Sequence, residues 1–188
     1  MKFPETGRPS HDVLDDLRAM RQGDAGWAEG RVPLFVFKGT DQASAIAQDA
    51  FNIFFAENAL GKNRAFPSLK RMEDEIIEMA LDLFNAPAGG TGFVSTGGSE
   101  SIIQAVQTAR DWSRAKRADP THRGNIVMAY SAHPAFDKAA RLMDLEVRRI
   151  DTGPDYRADV EAMVAALDGD TIMMVGSAPC FPYGVFDD

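Results

Sequence analysis

The chain has 188 residues, a length that suits one ordinary domain or part of a larger one. Hydrophobic residues make up 45% and charged residues 26%, so the chain is rich enough in apolar side chains for a packed core and is not compositionally disordered. A net charge of −8 repels nucleic acid and acidic membrane surfaces, which excludes both as expected partners.

No run of eighteen apolar residues occurs and the N-terminal Met-Lys-Phe-Pro-Glu has no apolar signal region, so neither a membrane span nor a leader is expected. Cys180 is the single cysteine; it can form no internal disulfide, which points to a reducing cytoplasm.

In chain order, residues 1–10 read as an irregular arm. Ser10 is placed to cap a helix over 11–21, with Val13, Leu14 and Leu17 on one side. A loop over 23–30 carries Trp27, and a short apolar run over 32–37 turns at Gly39. Asp41 is placed to cap a helix reaching about residue 58. After a loop over 61–68, Ser68 opens the clearest helix. In it Leu69, Met72, Ile76, Met79, Ala80 and Leu83 recur at intervals of three and four, with charged residues between them. Glu73, Asp74, Glu75 and Glu78 then fall on a solvated face.

From residue 86 onward strands and helices alternate. A short segment over 91–95 hands over through Thr96, Gly97, Gly98 and Ser99 to a helix reaching about residue 116. Strands follow over 125–130, 145–150 and 171–176, with helices over 134–143 and 158–167. That order predicts a mostly parallel sheet covered by helices, an α/β fold. The unbroken apolar run Ile172–Val175 predicts a strand buried on both faces. Two segments result: 1–85, an arm and helical lead-in, and 86–188, the first part of a sheet domain.

Three strand-end loops can carry chemistry. In the first, Gly97 and Gly98 let a ligand approach the backbone, and the following helix offers unpaired N–H groups with a positive dipole end. Such a turn suits a phosphate, with hydroxyls of Thr96, Ser99 and Ser101 as further donors; it also reads as a plain tight turn. It is neither a Walker loop nor a dinucleotide fingerprint. In the second, His133 lies just past a strand, where parallel sheets bind ligands, though a packing histidine fits there too. In the third, Ser177 follows the strand over 171–176, and Cys180 beside it reads as a buried, inert thiol. His11 and His122 read as surface residues. Three scattered histidines and one cysteine give no metal-ligand spacing.

These loops, taken in order, resemble one family. Phe93-Val-Ser-Thr-Gly-Gly-Ser-Glu-Ser-Ile102 resembles the phosphate-binding segment of group II pyridoxal-phosphate decarboxylases. Ser131-Ala-His-Pro-Ala-Phe-Asp-Lys-Ala-Ala140 and Gly176-Ser-Ala-Pro-Cys-Phe-Pro-Tyr-Gly184 resemble the sphingosine-1-phosphate lyases more narrowly, as do residues 10–14 and 65–69. The resemblance implies the N-terminal part of a pyridoxal-phosphate-dependent transferase fold (aspartate aminotransferase-like, type I). It implies pyridoxal 5'-phosphate as cofactor and a phosphorylated amine or amino acid as substrate. The implied reaction splits a phosphorylated sphingoid base into a long-chain aldehyde and phosphoethanolamine. Amino-acid decarboxylation is the neighbouring alternative, and a non-catalytic truncated fragment another.

By the same resemblance, the cofactor-binding residues include Thr96, Gly97, Gly98 and Ser99, with Gly98 and Ser99 holding the phosphate and Thr96 and Gly97 shaping the turn; His133 stacks on the ring and assists proton transfer, and Ser177 lies near the cofactor. Tyr183 stands where relatives often have histidine, and Asn63-Arg64 where they have Asn-Pro, so both substrate-facing places differ. The Schiff-base lysine of relatives lies further along than residue 188. None of Lys2, Lys38, Lys62, Lys70, Lys116 and Lys138 stands in its His-Lys context. The expectation is therefore a chain that works as a homodimer or with a complementing C-terminal chain.

Overall fold

The computed structural model describes residue 3 and residues 5–32 and 36–188. Half of the apolar run expected over 32–37, residues 33–35, thus lies outside the described residues. The chain divides into two compact units, Met1–Asp74 and Glu75–Asp188.

The first unit holds α1 (Ser10–Arg21), α2 (Asp41–Ile53), a 3-10 turn (Ala59–Gly61) and the start of α3 (Pro67–Leu83). The expected caps shift by one residue. Pro9, not Ser10, precedes α1, and no side chain caps it. Thr40, not Asp41, caps α2, its hydroxyl accepting the Ala43 N–H at 3.1 Å. Helix α3 starts at Pro67, whose fixed φ and missing N–H suit the first helical position. Helix α2 ends at Ile53 rather than near residue 58, and the 3-10 turn follows. Glu73 is not on a solvated face: its side chain is only 16% exposed and pairs with Lys62. The apolar stripe on α3 remains open, with Ile76 and Met79 more than half exposed.

The second unit contains α4 (Gly98–Arg117), β1 (Asn125–Ala129), α5 (Ala135–Leu142), β2 (Glu146–Ile150), α6 (Val160–Ala165) and β3 (Thr171–Val175). The strands form a parallel sheet in the order β2-β1-β3, as the alternating pattern predicts. Residues 91–95, which lead into the glycine turn, form no strand. Every residue of central β1 is buried. Its side chains alternate between faces. Ile126 and Met128 meet Val106 of α4, Ala139 and Ala140 of α5 and Val175, whereas Val127 and Ala129 meet Met163 of α6. Helices thus cover both faces of the sheet. Contrary to expectation, β3 is not buried on both faces, because it lies at the edge of the three-stranded sheet: only Val175 is buried, and Met174 is 52% exposed.

The amino edge of the sheet is closed by polar contacts. Asn125, 1% exposed, donates to Asp168 Oδ1 at 2.9 Å and accepts from Thr171 Oγ1 at 2.9 Å. Arg148 adds an ion pair to Asp168 at 2.7 Å. Gly124 has φ 69°, and a Cβ there would lie 2.7 Å from Ile172, so the approach to β1 requires glycine. His122 is not a surface residue: its side chain is 11% exposed and its Nε2 is buried without a partner.

The same edge anchors α4. Arg117, in its last turn, donates to the Gly169 carbonyl, and Arg114 donates to the His122 carbonyl at 3.0 Å. Twenty helical residues span about 30 Å, whereas five strand residues span about 17 Å. With its C-terminus fixed at the amino edge, α4 runs antiparallel to the strands and carries its N-terminus beyond their carboxyl ends.

Candidate cofactor site at the carboxyl edge of the sheet

The glycine turn is shaped by its own polar side chains. Thr96 donates to Glu100 Oε2 through both its N–H, at 2.7 Å, and its hydroxyl, at 2.6 Å. Those bonds, the hydroxyl's first, hold the Glu100 carboxyl below the usual carboxylate range. Ser95 Oγ donates to the Gly97 carbonyl at 3.1 Å and meets Ser101 Oγ at 2.6 Å. Gly97 has φ 157° and ψ 173°, a region essentially closed to residues with a Cβ. Gly98 opens α4, and a Cβ built there meets no atom within 4 Å. The first-turn N–H groups of Gly98, Ser99 and Glu100 have no acceptor within the helix, because no preceding turn supplies one.

Of the three hydroxyls read from the sequence as further donors, two have partners within the turn. The hydroxyls of Thr96 and Ser101 are engaged inside the turn and serve to shape it, which leaves Ser99 as the candidate hydroxyl donor. Gly98 leaves open space beside free backbone donors at a positive helix end, and those features fit a phosphate.

His133 sits in the loop that leaves β1, and its ring is exposed. Its Nδ1 accepts the Ala135 N–H at 3.1 Å, so the proton of the neutral imidazole resides on Nε2. A cavity of about 440 Å³ lies beside it, lined by residues 130–134 together with Arg149, Phe181 and Pro182. Phe181 and Pro182 come from the loop after β3, so two of the three loops singled out in the sequence share this cavity. The Thr96–Ser99 turn and Ser177 do not line it. Ser177 is half-buried at the end of β3, where its N–H donates to Asp187 Oδ2 at 2.7 Å. Cys180 is buried. Tyr183 stacks on Tyr156 with ring centroids 4.4 Å apart.

Sequence reasoning missed Arg149 and Asp187. Arg149 had a signal: a charged residue near the carboxyl end of a strand whose neighbours are apolar. Asp187 had none, since it acts through the fold of the loop over 177–187. Among the described residues no cluster of potential metal ligands occurs, and no helix is long and apolar enough to cross a membrane.

No family model matches the chain. The sphingosine-1-phosphate lyase of Dictyostelium discoideum is 33% identical over 187 residues, which cover 98% of this chain and 34% of that protein. A probable L-tyrosine/L-aspartate decarboxylase of Methanothrix thermoacetophila is 35% identical over 185 residues, covering 98% of this chain and 45% of its own length. The solved sphingosine-1-phosphate lyase of Burkholderia pseudomallei superposes with a TM-score of 0.82 at 31% identity, over 100% of this chain and 44% of that one. An Oryza sativa TDC, solved with PLP and tryptamine, gives a TM-score of 0.74 at 24% identity over 99% of this chain and 44% of its own, a likeness of fold. The chain is homologous over nearly its whole length to the sphingosine-1-phosphate lyases and shares their fold, and it spans about a third of the length of the curated lyases it matches.

Proposed function

We propose that this chain supplies the cofactor-phosphate and ring-stacking part of a pyridoxal-phosphate-dependent lyase that acts on phosphorylated sphingoid bases. The observation that carries the reading is the pairing of lyase homology with an open, glycine-lined helix N-terminus beyond the carboxyl edge of a parallel sheet.

In this reading the N–H groups of Gly98 and Ser99 and the Ser99 hydroxyl hold the phosphate, while Thr96, Gly97 and Glu100 fix the turn. His133 lies against the pyridine ring, and its Nε2–H faces the chemistry as a proton donor because Nδ1 is engaged. Ser177, held by Asp187, borders the cofactor. Bound pyridoxal phosphate supplies an electron sink for cleaving a bond next to the substrate amine. The products are a long-chain aldehyde and phosphoethanolamine.

The lysine that binds the cofactor covalently in this chemistry comes from a further segment or a complementing chain, and the working unit is a homodimer or such a complex. Leu17 and Met20 of α1 and Phe51 and Ile53 of α2 are each more than half exposed, which supports a partner. The single cysteine supports a reducing, cytoplasmic setting.

The test joins this chain to a lysine-bearing C-terminal polypeptide and assays products by mass spectrometry. Release of aldehyde and phosphoethanolamine is expected. Carbon dioxide from an aromatic or acidic amino acid, without aldehyde, would favour decarboxylation, the reading that the Methanothrix relative supports.

A further inference from the structure

We propose that Arg149 is a positioning residue that sets the place of His133. It stands on β2 opposite Met128 of β1, and its guanidinium reaches the loop by which the chain leaves β1. Nη1 donates to the carbonyls of Ala129 at 3.1 Å, Tyr130 at 2.7 Å and Ala132 at 3.3 Å. Nη2 reaches the Ala132 carbonyl as well, at 3.3 Å, and pairs with Asp137 in the first turn of α5. Nε also donates to Asp137, at 3.3 Å.

One planar group therefore binds the backbone on the N-terminal side of His133 and the helix on its C-terminal side. A carbonyl cluster of this kind repels itself unless a multidentate cation sits among it, and arginine has five donors in a fixed fork where lysine has a single point charge. Asp137 completes the arrangement: the Arg149 hydrogen bond draws its carboxyl below the usual range, so it stays charged and holds the fork in plane. The His133 carbonyl accepts the Phe136 N–H at 3.1 Å and its ring Nδ1 accepts the Ala135 N–H, and Ala135 is the first residue of α5. Arg149 thus fixes both the loop and the helix end that set the imidazole's position and its tautomer. That His133 matters to catalysis rests on the proposed function; its dependence on Arg149 does not.

The test uses the isotope-labelled chain without cofactor, and reads the His133 ring-nitrogen shifts and the exchange rate of the Ala135 amide. R149Q is expected to speed Ala135 exchange by about tenfold or more, the size of one lost charge-assisted hydrogen bond, and to mix the two imidazole tautomers. R149K restores only part of the protection, and D137N gives an intermediate loss. R148Q, which breaks the neighbouring ion pair to Asp168, leaves both readouts as in the parent. Parent-like His133 and Ala135 signals in a folded D137N would overturn the proposal, as would an equal change in R148Q; D137N decides even where R149Q does not fold. Failure of the parent chain to bind pyridoxal phosphate, measured separately by fluorescence titration, counts against the proposed function and leaves this result standing.

Discussion

Replacing each glycine of the turn by alanine separates the shape of the site from its occupancy. At Gly97 the backbone sits at φ 157° and ψ 173°, and a Cβ would meet no neighbour within 4 Å. The whole cost of Gly97→Ala is therefore backbone strain, about 1–3 kcal/mol. At Gly98 the backbone is helical and the space equally empty, so Gly98→Ala carries no strain and gains up to about 1 kcal/mol of helix propensity. Its methyl group, however, occupies the space through which a phosphate reaches the free N–H groups. Urea denaturation should show G97A less stable than the parent and G98A equal or more stable. Titration with pyridoxal phosphate should show both weakened, G97A by roughly 5–150-fold, the equivalent of 1–3 kcal/mol. Parent-like binding by a well-folded G98A would remove the phosphate from this helix end. Parent-like stability of G97A would mean that the turn relaxes at no cost and does not need its glycine.

Further outcomes follow from the same geometry. Ile126 is fully buried between α4 and α5, so Ile126→Ala should lower unfolding free energy by about 2–5 kcal/mol in denaturant melts, and Ile126→Val by about 0.5–1.5 kcal/mol. Asn125→Ala strips Asp168 and Thr171 of a buried partner at the amino edge, and should cost about 1–3 kcal/mol without changing cofactor affinity. Asp168 is held well below the usual carboxylate range, first by the Asn125 side chain and then by Arg148, and Asp137 is lowered by Arg149. A depressed folded-state value contributes stability that is full above the unfolded value, near about 3.9, and fades as the pH falls through the folded one. Urea midpoints should hold level down to about pH 5 and drop below about pH 4. D168N should lower the plateau and flatten that fall. In a lysine-complemented enzyme, His133→Phe keeps a ring for stacking but no proton, so kcat should fall about 100-fold or more while cofactor affinity changes little.

Much of the sheet unit was legible because its signals are local. Alternating strand and helix lengths fixed the parallel order, and the glycine pair marked the start of α4 within a residue. Other features depended on partners remote in sequence. The cap of α2 slipped by one residue because Thr40 and Asp41 are both cap types, and only the fold decides which leaves the helix. The polar face of α3 did not reveal that Glu73 pairs with Lys62, eleven residues away. Burial of β3 was misread because apolar composition reports what a strand can bury, not how many neighbours cover it. In the site, residue types pointed to Gly97, Gly98 and His133, but not to the Glu100 carboxylate that claims the Thr96 hydroxyl.

The two edges of the sheet differ in how their polar groups are used, and that difference separates structure from function. At the amino edge Asn125, Thr171, Asp168 and Arg148 pair with one another, and Arg117 locks α4 to Gly169. The polar atom those pairings leave over there, His122 Nε2, is buried. At the carboxyl edge the bonds are spent on shaping backbone: Thr96 and Glu100 bend the turn, Arg149 gathers the loop carbonyls, and Asp187 holds Ser177. The groups those bonds leave over are the first-turn N–H groups of α4 and the exposed ring of His133. Free polar groups on firmly held backbone are what an anionic ligand needs, because ordering them on binding then costs little entropy. The length of α4 links the two edges: its tied C-terminus fixes how far the glycine turn stands beyond the strands. R117Q, which loosens that tie without touching the site, should therefore weaken pyridoxal phosphate binding while leaving the Ala135 amide protected. If binding instead stayed at the parent level with the Gly169 contact broken, the turn would be held by its own bonds alone.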